Sequence, residues 1–137
     1  MLFRSTPVGH VLGMYAAHQG GQGVRALFSA PSVNYDRDGK PATFWGLRGS
    51  ASIKEKNLFL TVVNPHVSEA RESEIVLRGA TARSGSVTTL THSDIHAHNT
   101  FEHRDVAVPQ TKELKTGGAL VLTFPPASVT AVNVELA

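Results

Sequence analysis

FWGLRGSASIKEKNLFLTVVN, residues 44–64, consists of two largely apolar stretches joined by a charged tetrapeptide. FWGLRGSASI (44–53) and LFLTVVN (58–64) carry the aromatic, aliphatic and β-branched side chains that suit a pleated surface. KEKN (54–57) between them has the polar composition of a turn. The stretch therefore reads as strand, tight turn, strand. LFLTVVN is apolar at successive positions, as expected of a strand covered on both faces.

The same grammar extends in both directions. VRALFSA (24–30), SEIVLRG (73–79), SVTTLTH (86–92), ALVLTFP (119–125) and SVTAVNVEL (128–136) are further candidate strands, and ALVLTFP is again apolar on both faces. DRDGK (36–40) and RSG (83–85) read as turns. Pro41, Pro65, Pro109, Pro125 and Pro126 fall at strand margins, where a lost ladder donor does little harm. Short strands at a spacing of roughly ten residues, with no helices between them, predict an all-β fold, an antiparallel, jelly-roll-like β-sandwich. The stretch from 93 to 118 has few strand signals and is expected to cross between sheets.

One segment obeys a different period. In TPVGHVLGMYAAHQGG (6–21), Thr6 is a candidate N-cap and Pro7 occupies the first helical position, where its missing N–H costs nothing. Val8, Val11, Leu12 and Tyr15 then fall at i, i+3, i+4 and i+7, which predicts an apolar stripe on a helix over 7–18 that Gly20 and Gly21 stop. Two units follow, an N-terminal helix in residues 1–20 and a β-sandwich over 21–137. The helix must bury its stripe against something, either a sandwich edge or a larger body.

Composition narrows the function classes. The pI of about 9.2 suggests a nucleic-acid binder until the charges are mapped. The formal net charge is only +2, and the 13 basic residues are spread along the chain without a cluster or an interleaved aromatic platform, which argues against nucleic acid as a partner. No apolar run approaches the ~20 residues of a membrane span. No apolar stretch follows Arg4, so the N-terminus does not read as a signal peptide, and the cytoplasm is favoured although the compartment stays open. With no cysteine, disulfides, thiolate nucleophiles and Cys-type zinc sites are excluded.

HSDIHAHNTFEHRDV (92–106) concentrates four of the seven histidines and is the obvious place to look for chemistry. In an extended strand His92, Asp94, His96 and His98 would share a face, yet His92 and His98 would be roughly 20 Å apart, too far to converge on one ion. Only His96 and His98 are neighbours enough to be metal candidates, and no cofactor is implied. The plainer reading is a structural crossover in which Asn99 and Thr100 satisfy their own backbone and Phe101 anchors the loop by burying its ring. Trp45 and Tyr35 are the candidate sugar contacts, although a lone Trp in an apolar strand more often belongs to a core. GGQG (20–23) lacks the strand and helix that flank a phosphate cradle, and Ser50 and Ser52 lack a fixed His and Asp partner. Glu69, Glu72 and Glu74 lie in a polar loop leading into a strand, and Glu55 and Glu113 lie in charged turns, which are settings of solvated surface.

The order of these signals resembles the C-terminal end of family 51 glycoside hydrolases, the α-L-arabinofuranosidases, over nearly all of the chain. TPVGHVLGMYAAHQGG is similar to the last helix of that family's (β/α)8 barrel. LRGSASIKEKNLFLTVVNPH (47–66) is similar to its strand, turn and strand ending in Val-Asn. DIHAHNTFEHRDVAVPQ (94–110) and the closing FPPASVTAVNVEL (124–136) complete the likeness, with a departure at His103-Arg104, where relatives carry a proline-containing dipeptide. The resemblance implies a retaining parent enzyme that removes terminal arabinofuranosyl groups with two glutamates, and it places both upstream of Met1. None of the seven glutamates here matches them, so no catalytic residue carries over. The implied role is structural: a non-catalytic sandwich that packs against the barrel of the same polypeptide, meets carbohydrate only through that parent, and supports oligomer contacts. A stand-alone carbohydrate-binding module and a small metalloprotein using His96 and His98 are the rival readings.

Overall fold

The computed structural model describes residues 5–137, so the first four residues of the predicted N-terminal unit lie outside the described residues. The helix α1 (Pro7–Tyr15) begins as its sequence requires, with Thr6 Oγ1 accepting the Gly9 N–H at 3.1 Å and Pro7 in the first turn. It tightens into a 3-10 turn over Ala16–His18, and Gly20 leaves it with φ of +72°. Ten strands follow: β1 (Gln22–Val24), β2 (Val33–Arg37), β3 (Lys40–Phe44), β4 (Arg48–Lys54), β5 (Asn57–Asn64), β6 (Arg71–Ile75), β7 (Ala82–Leu90), β8 (Gln110–Glu113), β9 (Leu120–Phe124) and β10 (Ser128–Leu136).

The all-β antiparallel sandwich with one helix is the observed architecture. One layer is a six-stranded sheet in the order β1-β4-β5-β10-β7-β8, and β6 pairs with β9 and β2 with β3 as separate ribbons. The opening stretch forms the β4–β5 hairpin in register Ala51↔Leu60, with Glu55 supplying the left-handed residue of the turn at φ of +56°. Alternation along β5 and β10 divides the sheet into two faces. Leu60, Val62, Val132 and Val134 point inward and meet Leu122 and Phe124 of β9 in a single buried cluster. Phe59, Thr61, Val63, Val129 and Ala131 alternate to the opposite face, which α1 and its 3-10 turn overlie.

Several expected elements differ from those observed. Of VRALFSA only Val24 is in a ladder, while Phe28 and Ala30 pack against the core as unpaired chain. The strand expected at 73–79 lies instead over Arg71–Ile75, in register with β9, where Ser73 faces Leu122. RSG is not a turn: Gly85 sits inside β7, where a Cβ would meet the Asn133 carbonyl oxygen and Leu114. ALVLTFP is not covered on both faces, since Val121 is half exposed and β9 has only β6 as a ladder partner. The β2–β3 hairpin was marked only by its turn, in which Asp38 and Gly39 take positive φ and Asp36 Oδ1 accepts the Gly39 N–H at 2.8 Å.

Two stability outcomes follow from this packing. The Thr130 hydroxyl is buried in the core without a hydrogen-bond partner. Thr130→Val keeps the shape and removes that unsatisfied group, and should raise the melting temperature by a few degrees, equivalent to about 1 kcal/mol. A lower melting temperature would show that the hydroxyl is bonded after all. Gly46 is buried, and a Cβ there would overlap the Pro31 carbonyl. Gly46→Ala should cost about 1–3 kcal/mol in denaturant unfolding because backbone, not a flexible side chain, must move.

Candidate functional site

The histidine segment does not form a strand and does not cross between sheets. Residues 91–109 leave β7 and return to the same sheet as β8, which pairs with β7 in register Thr88↔Thr111. The passage between sheets expected within 93–118 is found at the end of that stretch, in the connection from β8 to β9. The loop is built from local hydrogen bonds. His92 Nδ1 accepts the Asp94 N–H at 3.0 Å, Asp94 Oδ1 accepts the His96 N–H at 2.9 Å, and the Asp94 carbonyl accepts the Ala97 N–H at 3.1 Å. Thr100 closes a second turn, its N–H donating to the His103 carbonyl and its hydroxyl accepting the His103 N–H. This turn forms with His103-Arg104 and needs no proline.

Asn99 holds the loop to the rest of the chain. It is 2% exposed, its Nδ2 donates to the carbonyls of Ala107 at 2.8 Å and Ser5 at 2.9 Å, and its Oδ1 accepts the Ala107 N–H at 2.7 Å. A buried amide with donors and acceptor all engaged fixes the two limbs of the loop and ties them to the residue ahead of the helix N-cap. The expected anchor, Phe101, is instead 63% exposed. Ala107 is eight residues from Asn99, within reach of a local reading, whereas the Ser5 carbonyl is 94 residues away and no local window shows it.

The metal candidates His96 and His98 are both exposed, and His98 Nδ1 lies 3.1 Å from the His96 carbonyl, engaged with backbone. Among the described residues, no three His, Asp or Glu side chains are grouped to hold an ion. The sugar candidates lie at the β2–β3 ribbon. Tyr35 and Phe44 share one of its faces and are each nearly half exposed, while the adjoining Trp45 is partly buried with its ring centroid 4.5 Å from that of Phe44.

Ser52 acquires a fixed histidine that the sequence did not disclose. His18, in the 3-10 turn after α1, places Nδ1 2.6 Å from Ser52 Oγ and Nε2 3.1 Å from Thr61 Oγ1. A hydroxyl on an imidazole is the start of a nucleophilic pair, but the second ring nitrogen meets another hydroxyl where an orienting carboxylate would be needed. Ser52 is also only 5% exposed. The arrangement fastens the helical segment to the outer face of the sheet. GGQG, similarly, ends the helix and opens β1.

Carboxylates are dispersed. Glu55, Glu72, Glu74, Glu102 and Glu113 are exposed on turns, strands and loops. Glu69 pairs with Arg71 at 2.6 Å and faces His66 at 3.7 Å, and Glu135 accepts from Ser84 at 2.8 Å. Beside Glu69, buried Asn64 donates to the Phe124 and Pro125 carbonyls and closes the end of the sandwich. These are structural assignments.

Two clefts flank α1. One, of about 460 Å³, lies between Pro7, Val8 and Val11 of the helix, Leu90 and Val129 of the sheet, and Ile95 of the histidine loop. The other, of about 530 Å³, has a more polar wall that includes His10, Ser86, Thr88 and Asn133. The predicted helical stripe is divided between these surroundings. Val11 and Tyr15 are partly buried, whereas Val8 and Leu12 are each 69% exposed.

The fold and its surface can be set beside known proteins. The profile of the α-L-arabinofuranosidase C-terminal domain matches residues 4–128. No protein of curated function matches the chain in sequence. Among solved structures, an α-L-arabinofuranosidase from Thermotoga maritima, in complex with arabinose, is similar at 28% identity and a TM-score of 0.81, over 96% of this chain and 29% of that one. A thermostable family 51 enzyme from Thermotoga petrophila RKU-1 is similar at 27% identity and 0.80, over 95% and 29%. A family 51 arabinofuranosidase from Xanthomonas axonopodis pv. citri has a TM-score of 0.81 at 18% identity, over 95% and 26%, a likeness of fold alone. The chain thus spans less than a third of each of these solved relatives. With the profile covering nearly its whole length, the chain belongs to the α-L-arabinofuranosidase C-terminal domain family.

Proposed function

We propose that this domain is the non-catalytic support of a larger retaining α-L-arabinofuranosidase, and that it covers and steadies the catalytic (β/α)8 barrel of the same polypeptide. The observation that carries the reading is α1. It is fastened to the sheet by His18 and Val11, yet it leaves Val8 and Leu12 largely exposed. A helix with one side on the sheet and large aliphatic residues on the other suits a position between two bodies. Self-association of the domain, the oligomer reading, would cover the same residues.

The dispersion of glutamates supports a non-catalytic role. Retaining hydrolysis needs two carboxyl groups about 5–5.5 Å apart, one of them shielded enough to act as an acid. On this reading carbohydrate meets the parent enzyme at its barrel. The carbohydrate-module alternative is favoured by a single feature, the exposed Tyr35 and Phe44 on one face of a projecting ribbon beside Trp45. Two χ angles per ring make such residues inexpensive to order against a ligand.

The chain should release no nitrophenol from 4-nitrophenyl α-L-arabinofuranoside, and the DNA before the Met1 codon should hold an open frame of several hundred codons encoding two barrel glutamates. Turnover that disappears with a single Glu→Gln substitution would overturn the non-catalytic assignment. A stop codon close upstream would remove the parent. Titration with arabino-oligosaccharides is expected to give neither binding heat nor protection of Trp45 fluorescence from a quencher. Saturable binding abolished by Tyr35→Ala would establish the module reading in its place.

A further inference from the structure

We propose that the tip of the β2–β3 ribbon is a site of spontaneous isoaspartate formation at Asp38, and that the Asp36 side chain restrains it by holding the Gly39 N–H. Asp38 is the only aspartate or asparagine in the chain that precedes a glycine. Glycine has no Cβ to obstruct its own nitrogen, so among aspartyl peptides Asp-Gly is the one whose nitrogen most readily reaches the preceding carboxyl group. Asp38 and Gly39 form the two-residue loop between paired Arg37 and Lys40, with φ of +53° and +77°, the left-handed pair of a type I′ turn. Both are exposed, and a Cβ at Gly39 would meet nothing within 4 Å, so the tip stands in open solvent.

The reaction needs no partner but water. The Gly39 nitrogen gives up its proton and bonds to the Asp38 Cγ while one Cγ–O bond breaks, so that one water leaves and a five-membered succinimide remains. Water then opens the ring at either carbonyl. Attack at the side-chain carbonyl restores aspartate, whereas attack at the main-chain carbonyl leaves the backbone running through Cγ, which is isoaspartate. Two features of the turn oppose ring closure. A left-handed Asp38 must rotate about its Cα–C bond before the Gly39 nitrogen comes alongside its own side chain, and that rotation pulls the Gly39 N–H from Asp36 Oδ1, which accepts it at 2.8 Å. The Asp36 carboxylate also disfavours loss of the amide proton, because the anion left behind would lie against a like charge. Asp36 therefore both closes the turn and guards it. Where the reaction proceeds, isoaspartate adds one carbon to the main chain of a two-residue loop, and the Arg37–Lys40 end of the ribbon loses the turn that sets its register.

The test ages the purified chain at neutral pH and measures isoaspartate in the peptide that contains Asp38, for the native sequence, Asp36→Ala, Asp36→Asn and Asp38→Glu. The native chain should accumulate isoaspartate at Asp38 slowly, and Asp36→Ala several-fold faster. Asp36→Asn keeps an oxygen acceptor for the Gly39 N–H and should fall between the two. Asp38→Glu, whose longer side chain cannot close the five-membered ring, should accumulate none. Equal rates with Asp, Asn and Ala at position 36 overturn the guarding role, and the absence of isoaspartate from Asp36→Ala overturns the site itself. Matching melting temperatures show that a faster rate arises in the turn. A rate that rises only in proportion to lost global stability overturns the guarding role as well. Amide hydrogen exchange in β2 and β3 should quicken as the modified fraction grows, and unchanged exchange overturns the loss of register.

Discussion

The six-stranded sheet has two faces to cover, and everything else in the molecule is arranged around that requirement. The inner face has β9 and its Leu122 and Phe124. The outer face carries Phe59, Val63 and Val129 among hydroxyl side chains, a mixed surface too apolar to leave wet. The helical segment covers it by two means at once, aliphatic contact through Val11 and hydrogen bonds from His18 to Ser52 and Thr61. That solution satisfies the sheet and creates a new exposed surface on the far side of α1. A short helix with one apolar side would have ended the matter. This one has apolar residues on both.

Buried asparagines settle the other geometric question, how irregular chain is held against regular strands. Asn64 closes the sandwich end by reaching the β9–β10 connection, and Asn99 closes the histidine loop by reaching Ala107 and Ser5. An amide side chain imitates a peptide group, offering a donor and an acceptor in one plane, so it can stand in for the strand that a loop lacks. The concentration of imidazoles that draws the eye is secondary. His92, His96 and His98 are exposed residues on a scaffold that Asn99 determines.

What the sequence disclosed tracks the physics of each element. α1 was legible because Thr6 and Pro7 are local signals, β5 because it is apolar at successive positions, and β10 because burial alternates along it. β8 reads QTKE and is exposed throughout, so nothing in its composition could announce a strand. The β2–β3 ribbon carried a legible Asp38-Gly39 turn, but Asn34, Asp36, Arg37 and Lys40 obscured the strands on either side. The division of the helical stripe and the roles of His18 and Asn99 were hidden for a different reason. His18 depends on Ser52 and Thr61, and Asn99 in part on Ser5, partners that the tertiary fold brings from distant parts of the chain.

The position of β10 has a consequence for how the molecule is assembled. The last strand in chain order lies in the middle of the sheet, between β5 and β7. Until residues 128–136 arrive, the β4–β5 and β7–β8 hairpins are two half-sheets, each with an unsatisfied ladder edge and an uncovered aliphatic side. Closing them requires contacts between segments more than sixty residues apart, such as Asn64 with Ser128. Such closure is slow relative to hairpin formation, and the open halves are the species most prone to pair with one another across molecules. The vulnerable interval ends when a single strand slots into place.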